Sequence, residues 1–218
     1  MLRIPVSRTS LAAALLAGSL TLAGSASADG HALSEKVSSG TYVMDKTHGY
    51  VTFTYSHFGL SNPQISFDNV DAVLTLDADD PTKSSVNVTI DAASVDSGVE
   101  VFNDHLNNDE KWLNTGTFPE ITFVSTGLTQ ADDSTGTLTG DLTVKGVTKP
   151  VTLDVTLLGA KEHPISKVET VGVQATTTIL RSDFDAGAFA PAVSDEMVIT
   201  ISGEFNKAEV EEASADGS

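Results

Sequence analysis

Residues 138–157, LTGDLTVKGVTKPVTLDVTL, are the stretch that most constrains what this chain can fold into. Leu138, Leu142 and Val144 fall on one parity, and Thr139, Asp141, Thr143 and Lys145 fall on the other. After Gly146 the alternation resumes, with Val151, Leu153, Val155 and Leu157 opposed to Thr152, Asp154 and Thr156. A period of two means strands, and one apolar parity means one dry face, the usual pattern of antiparallel sheets. Lys145-Gly146 supplies the turn of a hairpin. Pro150 is expected at the start of the second strand, where its missing N–H costs the ladder least.

The same alternation recurs along the chain. A short first strand over 42–45 and a turn at Thr47-His48-Gly49 lead into a second strand, in which Val51, Phe53, Tyr55 and His57 share a parity against Thr52, Thr54 and Ser56. Strands follow over 65–78 and 85–92, separated by the turn residues Asp79-Asp80-Pro81. Between 94 and 117 the spacing of Val95, Val99, Phe102, Leu106, Trp112 and Leu113 becomes helical, so one or two short helices are expected there. Ile121 and Phe123 restart the sheet, residues 161–167 read as a loop around Pro164, and strands over 171–181 and 197–201 complete it. About eight antiparallel strands with one dry face must close as a sandwich or barrel, because open edges invite aggregation. Eight strands enclose either side chains or one small ligand.

The ends of the chain read differently. Arg3 and Arg8, an apolar run over 11–23 and Ala26-Ser27-Ala28 form a cleavable secretory signal over 1–28, too short in its apolar part to span a bilayer comfortably. A flexible leader over 29–40, one barrel domain over 41–206 and a disordered acidic tail over 207–218 are expected after it. The formal charge is -18, and losing Arg3 and Arg8 takes it to -20. Such a surface repels phosphate backbones and argues against nucleic acid as a partner. There is no cysteine, so burial alone must hold the fold.

Catalytic and metal motifs are sparse. His31, His48, His57, His105 and His163 make no HxxxH pair, so no metal site is expected. Asp77, Asp79 and Asp80 begin like a calcium loop, but Pro81, Thr82 and Val88 occupy positions where that loop needs other residues. No G-x-S-x-G, H-E-x-x-H or glycine-rich phosphate cradle occurs. An enzyme is therefore the minority reading, with His57 or His105 as base, each set among apolar residues whose burial would keep the imidazole neutral. Arg181, one of few cations, is a candidate anchor for a ligand head group, against a local salt bridge to Asp183 or Asp185. Phe53, Tyr55, Phe67, Phe102, Trp112, Phe118, Phe123, Phe184 and Phe189 gather in the strands and the helical insertion. They read either as the lining of a ligand site or as an ordinary aromatic core.

Taken in order, several short pieces form a recognisable set. They are D-x-x-H with a second histidine (Asp45, His48, His57), D-H-L (Asp104, His105, Leu106), F-P-x-I-x-F (Phe118, Pro119, Ile121, Phe123), G-x-L-T-V-x-G-V-T-K-P-V over 140–151, R-S-D-F over 181–184 and S-D-E-x-V-I-x-I over 194–201. In this order the chain resembles the YceI-like family of exported lipid-binding proteins. The resemblance implies an all-β fold: an eight-stranded antiparallel barrel of lipocalin-like shape, with a short helical insertion near one end. It also implies a long apolar channel for a polyisoprenoid chain, a periplasmic location, and no cofactor beyond a bound isoprenoid lipid. The ligand-binding residues expected on this basis are Phe53, Tyr55, His57, Phe67, Phe102, His105, Leu106, Trp112, Phe123, Arg181 and Phe184. Phe102 and Asn103 stand where the family often has an arginine, and Asp185 where it has a glycine, so a neutral quinone-type head fits as well as a pyrophosphate. The expected role is carrier, store or scavenger of an isoprenoid or quinone lipid, with a transient membrane contact and an edge-to-edge homodimer as further partners. The competing readings are an enzyme acting on a lipid-like substrate and a stress-related barrel without a ligand.

Overall fold

The computed structural model describes Leu33 and residues 36–209. The strands are β1 (Gly40–Thr54), β2 (Gln64–Phe67), β3 (Val70–Leu76), β4 (Ser85–Asp91), β5 (Val95–Asp96), β6 (Glu120–Gln130), β7 (Thr135–Val144), β8 (Val147–Glu162), β9 (Glu169–Leu180) and β10 (Glu196–Lys207). One helix, α1 (Glu100–Asn108), lies between β5 and β6. Every pairing is antiparallel, and β10 returns to pair with β1, which closes the sheet into a barrel. Counted as paths around the wall there are eight strands, because β2 and β3 both pair with β1, and β5 continues the path of β4 by pairing with β2.

Local chemistry explains where strands interrupt and turn. Instead of a short strand and a separate turn, β1 runs unbroken from Gly40, but its register with β10 jumps between Met44 and Gly49. The four residues between them bulge outward because the Asp45 carboxylate accepts hydrogen bonds from the Thr47 N–H and hydroxyl, 2.8 and 2.7 Å away. The β7–β8 turn takes two left-handed residues, Lys145 (φ 49°) and Gly146 (φ 73°), as a tight hairpin with a right-handed strand twist demands. β8 therefore starts at Val147, and Pro150 lies inside the strand rather than at its start. The residues 161–167 expected as loop are loop only from His163, since β8 runs to Glu162.

The barrel has two distinct ends. Loops at 77–84, 131–134 and 163–168 form the lower rim, and the segments 55–63, 92–119, 145–146 and 181–195 form the upper rim. At the lower rim Tyr42, Met44, Leu76, Ala160, Val171 and Phe205 fill the interior. Glu169 ties that end together, accepting hydrogen bonds from the Ser38 N–H and hydroxyl, the Tyr42 hydroxyl and the Lys207 ammonium. The Ser38 N–H is the largest cause of a Glu169 pKa lowered to about 2, and burial drives that of Tyr42 upward. The expected flexible leader is consequently ordered before it ends: Val37 is buried, and the Ser39 hydroxyl accepts the Ala78 N–H. The signal read over 1–28 and the tail beyond 209 lie outside the described residues.

Candidate functional site

Two buried cations organise the upper rim. Arg181 follows β9 at the start of a short 3-10 turn and is 4 % exposed. Its Nε–H donates to the carbonyl of Ser194, its Nη1 to those of Ala186 and Ala188, and its Nη2 to those of Ala188 and Val193. All five guanidinium donors are thus taken by backbone carbonyls of the segment that leads into β10. The expected head-group anchor thus has its donors engaged within the fold, and no ion pair joins it to Asp183 or Asp185 among the described residues. Burial lowers the Arg181 pKa, and the nearby Asp195 opposes the shift. Lys145, in the hairpin turn, reaches the carbonyls of Glu110 and Asp185 at 2.7 and 2.6 Å and so joins the helical insertion to the same segment. The alternation that located the turn carries no sign of this role.

The aromatic residues divide into two groups. Phe53, Phe67, Phe123 and Phe184 are buried, as is Leu106 of α1. Phe53 and Phe67 pack on neighbouring strands with ring centroids 5.5 Å apart. The edge of the Phe123 ring lies against Gly140 of the adjacent strand, in space that a Cβ at that position would fill. These rings are core in the structure. Tyr55, Phe102 and Trp112 are half-buried near the upper rim, and burial raises the Tyr55 phenol pKa. The Trp112 ring stands over the Arg181 guanidinium at 5.8 Å.

His57 and His105 are exposed rather than buried, which removes the reason for expecting a neutral buried imidazole at either. His57 lies past the end of β1 and bridges Ser61 and Val193 through its backbone. His105 lies on the solvent face of α1, one residue before Leu106, which alone among the helix's residues is buried.

What the aromatic clustering did not reveal is the state of the opposite wall. On β7 to β10, Val144, Val147, Val151, Val155, Ile179, Met197, Ile199 and Ile201 share the parity of the buried Leu142, Leu153, Ala175 and Phe205, yet remain half-accessible. These side chains pack against the buried core yet keep some accessible surface, as do Leu74, Val86 and Val88 of β3 and β4. The buried rings Phe53, Phe67 and Phe123 thus lie on β1, β2 and β6, while the inward aliphatic side chains of β7 to β10 are in large part only partly buried. A cleft of about 310 Å³ between β8 and β9 opens near the upper rim, with Val151, Ile179 and Phe184 among its lining.

Outside the barrel, the β1 bulge places Asp45 and His48 beside Glu204 of β10, with their ligand-type atoms within 4.8 Å of one another. The Asp45 carboxylate accepts from His48 Nδ1 at 3.0 Å, which raises the histidine and lowers the aspartate. Sequence spacing gave no reason to bring Glu204 into this group.

Comparison with known proteins agrees with this architecture. The model of the YceI-like domain matches residues 42–205. Protein YceI of Escherichia coli O17:K52:H18 is 36 % identical over 165 residues, which span 75 % of this chain and 85 % of that protein. Among solved structures, BcnA of Burkholderia cenocepacia superposes with a TM-score of 0.67 at 26 % identity, covering 74 % of this chain and 98 % of that one. A polyisoprenoid binding domain from Saccharophagus degradans, implicated in plant cell wall breakdown, shares the fold with a TM-score of 0.56 at 15 % identity, covering 78 % and 99 %.

Proposed function

Because the chain belongs to the YceI-like family, we propose that it holds an isoprenoid lipid of polyprenyl or quinone type inside its barrel, as carrier, store or scavenger rather than catalyst. The observation that carries this reading is the accessible aliphatic lining on β7 to β10. A barrel that served only as a core would bury those inward valines and isoleucines at crystal-like density. A prenyl chain running past Val151, Val155, Ile199 and Ile201 gains about 0.8 kcal/mol per buried carbon, or about 4 kcal/mol per five-carbon unit before association costs. A few units then suffice for micromolar affinity, about 8 kcal/mol. The polyisoprenoid-binding relative of the same fold supports the ligand class. On this reading the half-buried Tyr55, Phe102 and Trp112 meet the head of such a ligand near the upper rim.

Catalysis is the weaker reading, since neither His57 nor His105 has a side-chain hydrogen-bond partner among the described residues to orient it as a base. The arginines, apolar run and A-x-A site within 1–28 support export, and with it a periplasmic location. Native mass spectrometry of gently purified protein tests the proposal. The expected result is an adduct of isoprenoid mass, or refilling of delipidated protein by a prenyl alcohol or a prenylated quinone. A barrel that stays empty and ignores both overturns it.

A further inference from the structure

The backbone ladder between β8 and β9 is missing over its upper part. Pairing between these strands runs from Glu162↔Glu169 to Asp154↔Thr176 and stops. Continuing the register would join Thr152 to Thr178, Val151 to Ile179 and Pro150 to Leu180. Those residues, with Lys149 and Thr177, line the cleft instead. The flanking walls are intact at the same height, since β8 stays paired with β7 up to Val147 and β9 with β10 up to Leu180. The ladder lapses between two walls that stay paired, over roughly 10 Å at about 3.3 Å per residue.

The residues at the seam keep it parted. In a two-residue hairpin Val144 and Val147 exchange hydrogen bonds, so alternation turns the polar backbone groups of Pro150 and Thr152 away from β7 and toward β9. Pro150 has no N–H to donate there. The Thr152 carbonyl, which the Thr178 N–H would otherwise reach, accepts the Thr177 hydroxyl at 2.7 Å. One rung of the missing ladder is thus chemically impossible and another is replaced by a side chain. Val151 and Ile179 share the inward parity of Leu153 and Ala175, so the cleft borders the accessible lining on both of its edges. Its volume, about 310 Å³, is at the low end for a ligand pocket and suits a chain in passage better than a whole long lipid at rest.

We propose that this seam is the lateral passage by which an isoprenoid chain enters and leaves the barrel. The proposal rests on the ligand reading above, and the experiment separates the two. In this cysteine-free chain, Thr152→Cys with Thr178→Cys places one thiol on each lip of the seam, where a short bis-maleimide can bridge them. Thr143→Cys with Thr148→Cys, a pair already joined across β7 and β8, is the control bridge. Uptake of a fluorescent prenyl alcohol from vesicles, and its release, are followed for bridged and unbridged forms. The seam bridge is expected to slow both roughly tenfold or more while the amount bound at equilibrium is unchanged, and the control bridge to leave both rates alone. Pro150→Thr, which restores the missing donor without any cross-link, is expected to slow exchange severalfold in the same direction. Exchange that is as fast with the seam bridged, and with Pro150→Thr, as in the control overturns the passage while leaving the ligand reading standing. Failure of the unbridged protein to bind the probe at all overturns the ligand reading and the passage with it.

Discussion

Replacing Arg181 by lysine isolates what the guanidinium does. The change keeps the positive charge but replaces a planar five-donor fork by a compact ammonium, and four backbone carbonyls, of Ala186, Ala188, Val193 and Ser194, depend on that fork. An ammonium in the same space satisfies about two of them, and each carbonyl left without a donor in a desolvated setting costs about 1–3 kcal/mol. Because the segment borders solvent, the lower half of the range applies, giving a loss of about 2–4 kcal/mol. Against a total stability of about 5–15 kcal/mol this is large, and it corresponds to a fall in Tm of roughly 6–12 °C for a domain of this size. Trp112 is the chain's single tryptophan and sits 5.8 Å from the guanidinium, so urea unfolding followed by its fluorescence reads the site directly. Far-UV circular dichroism on the same samples checks that unfolding is two-state. Prenyl-alcohol affinity, measured where both proteins are folded, is expected to change little. Unchanged stability with a large loss of affinity would refute the clamp and restore Arg181 as a ligand anchor.

Three further perturbations test other parts of the structure. The Glu169 carboxylate, with its folded pKa pulled to about 2, stabilises the protein above the unfolded carboxylate range, and that contribution disappears as pH falls from about 4.5 to 2, where the unfolded chain binds the extra proton. With the side chain about one-third exposed the effect is no more than about 1–2 kcal/mol; acid titration of stability should show it in the natural chain and lose it in Glu169→Gln. Gly140→Ala pushes a methyl group into the Phe123 ring and is expected to cost about 1–3 kcal/mol in urea unfolding, with partial rescue by Phe123→Leu in a double-mutant cycle. Val155→Phe, whose strand neighbours are Gly136 and Ala175, grows into the accessible side of the barrel; it is expected to leave stability within about 1 kcal/mol and to lower prenyl affinity about tenfold by titration.

The fold was legible because period two is a direct record of burial. Leu142 and Leu153 face inward and Asp141 and Asp154 outward, as the hairpin pattern requires, and Leu106 is the buried residue of the helix that Phe102, Leu106 and Trp112 announced. The site was less legible, for two physical reasons. Clustered aromatics mark where large rings are needed, but large rings fill space, so Phe53, Phe67 and Phe123 ended as core. The partly buried inner face of β7 to β10 came from valine, isoleucine and Met197, whose alternation looks the same whether they are fully or only partly buried. The roles of Arg181 and Lys145 were hidden because their partners are backbone carbonyls of 110 and 185–194, and a carbonyl leaves no mark on residue identity. His48 could be placed in a turn from its neighbours, but Glu204 meets it only because β10 closes on β1.

The hydrogen bonds gathered by Glu169 have a practical consequence. Ser38, just ahead of β1, and Lys207, the last residue of β10, are both held by that one carboxylate, so the described chain starts and finishes side by side at the packed end of the barrel. A tag, fluorescent fusion or surface tether joined next to Ser38 or Lys207 therefore starts from the rim opposite Arg181, Lys145 and the β8–β9 seam. The same proximity makes the chain a good subject for circular permutation, with a short linker joining the old ends and new ones cut into an exposed lower loop such as 131–134.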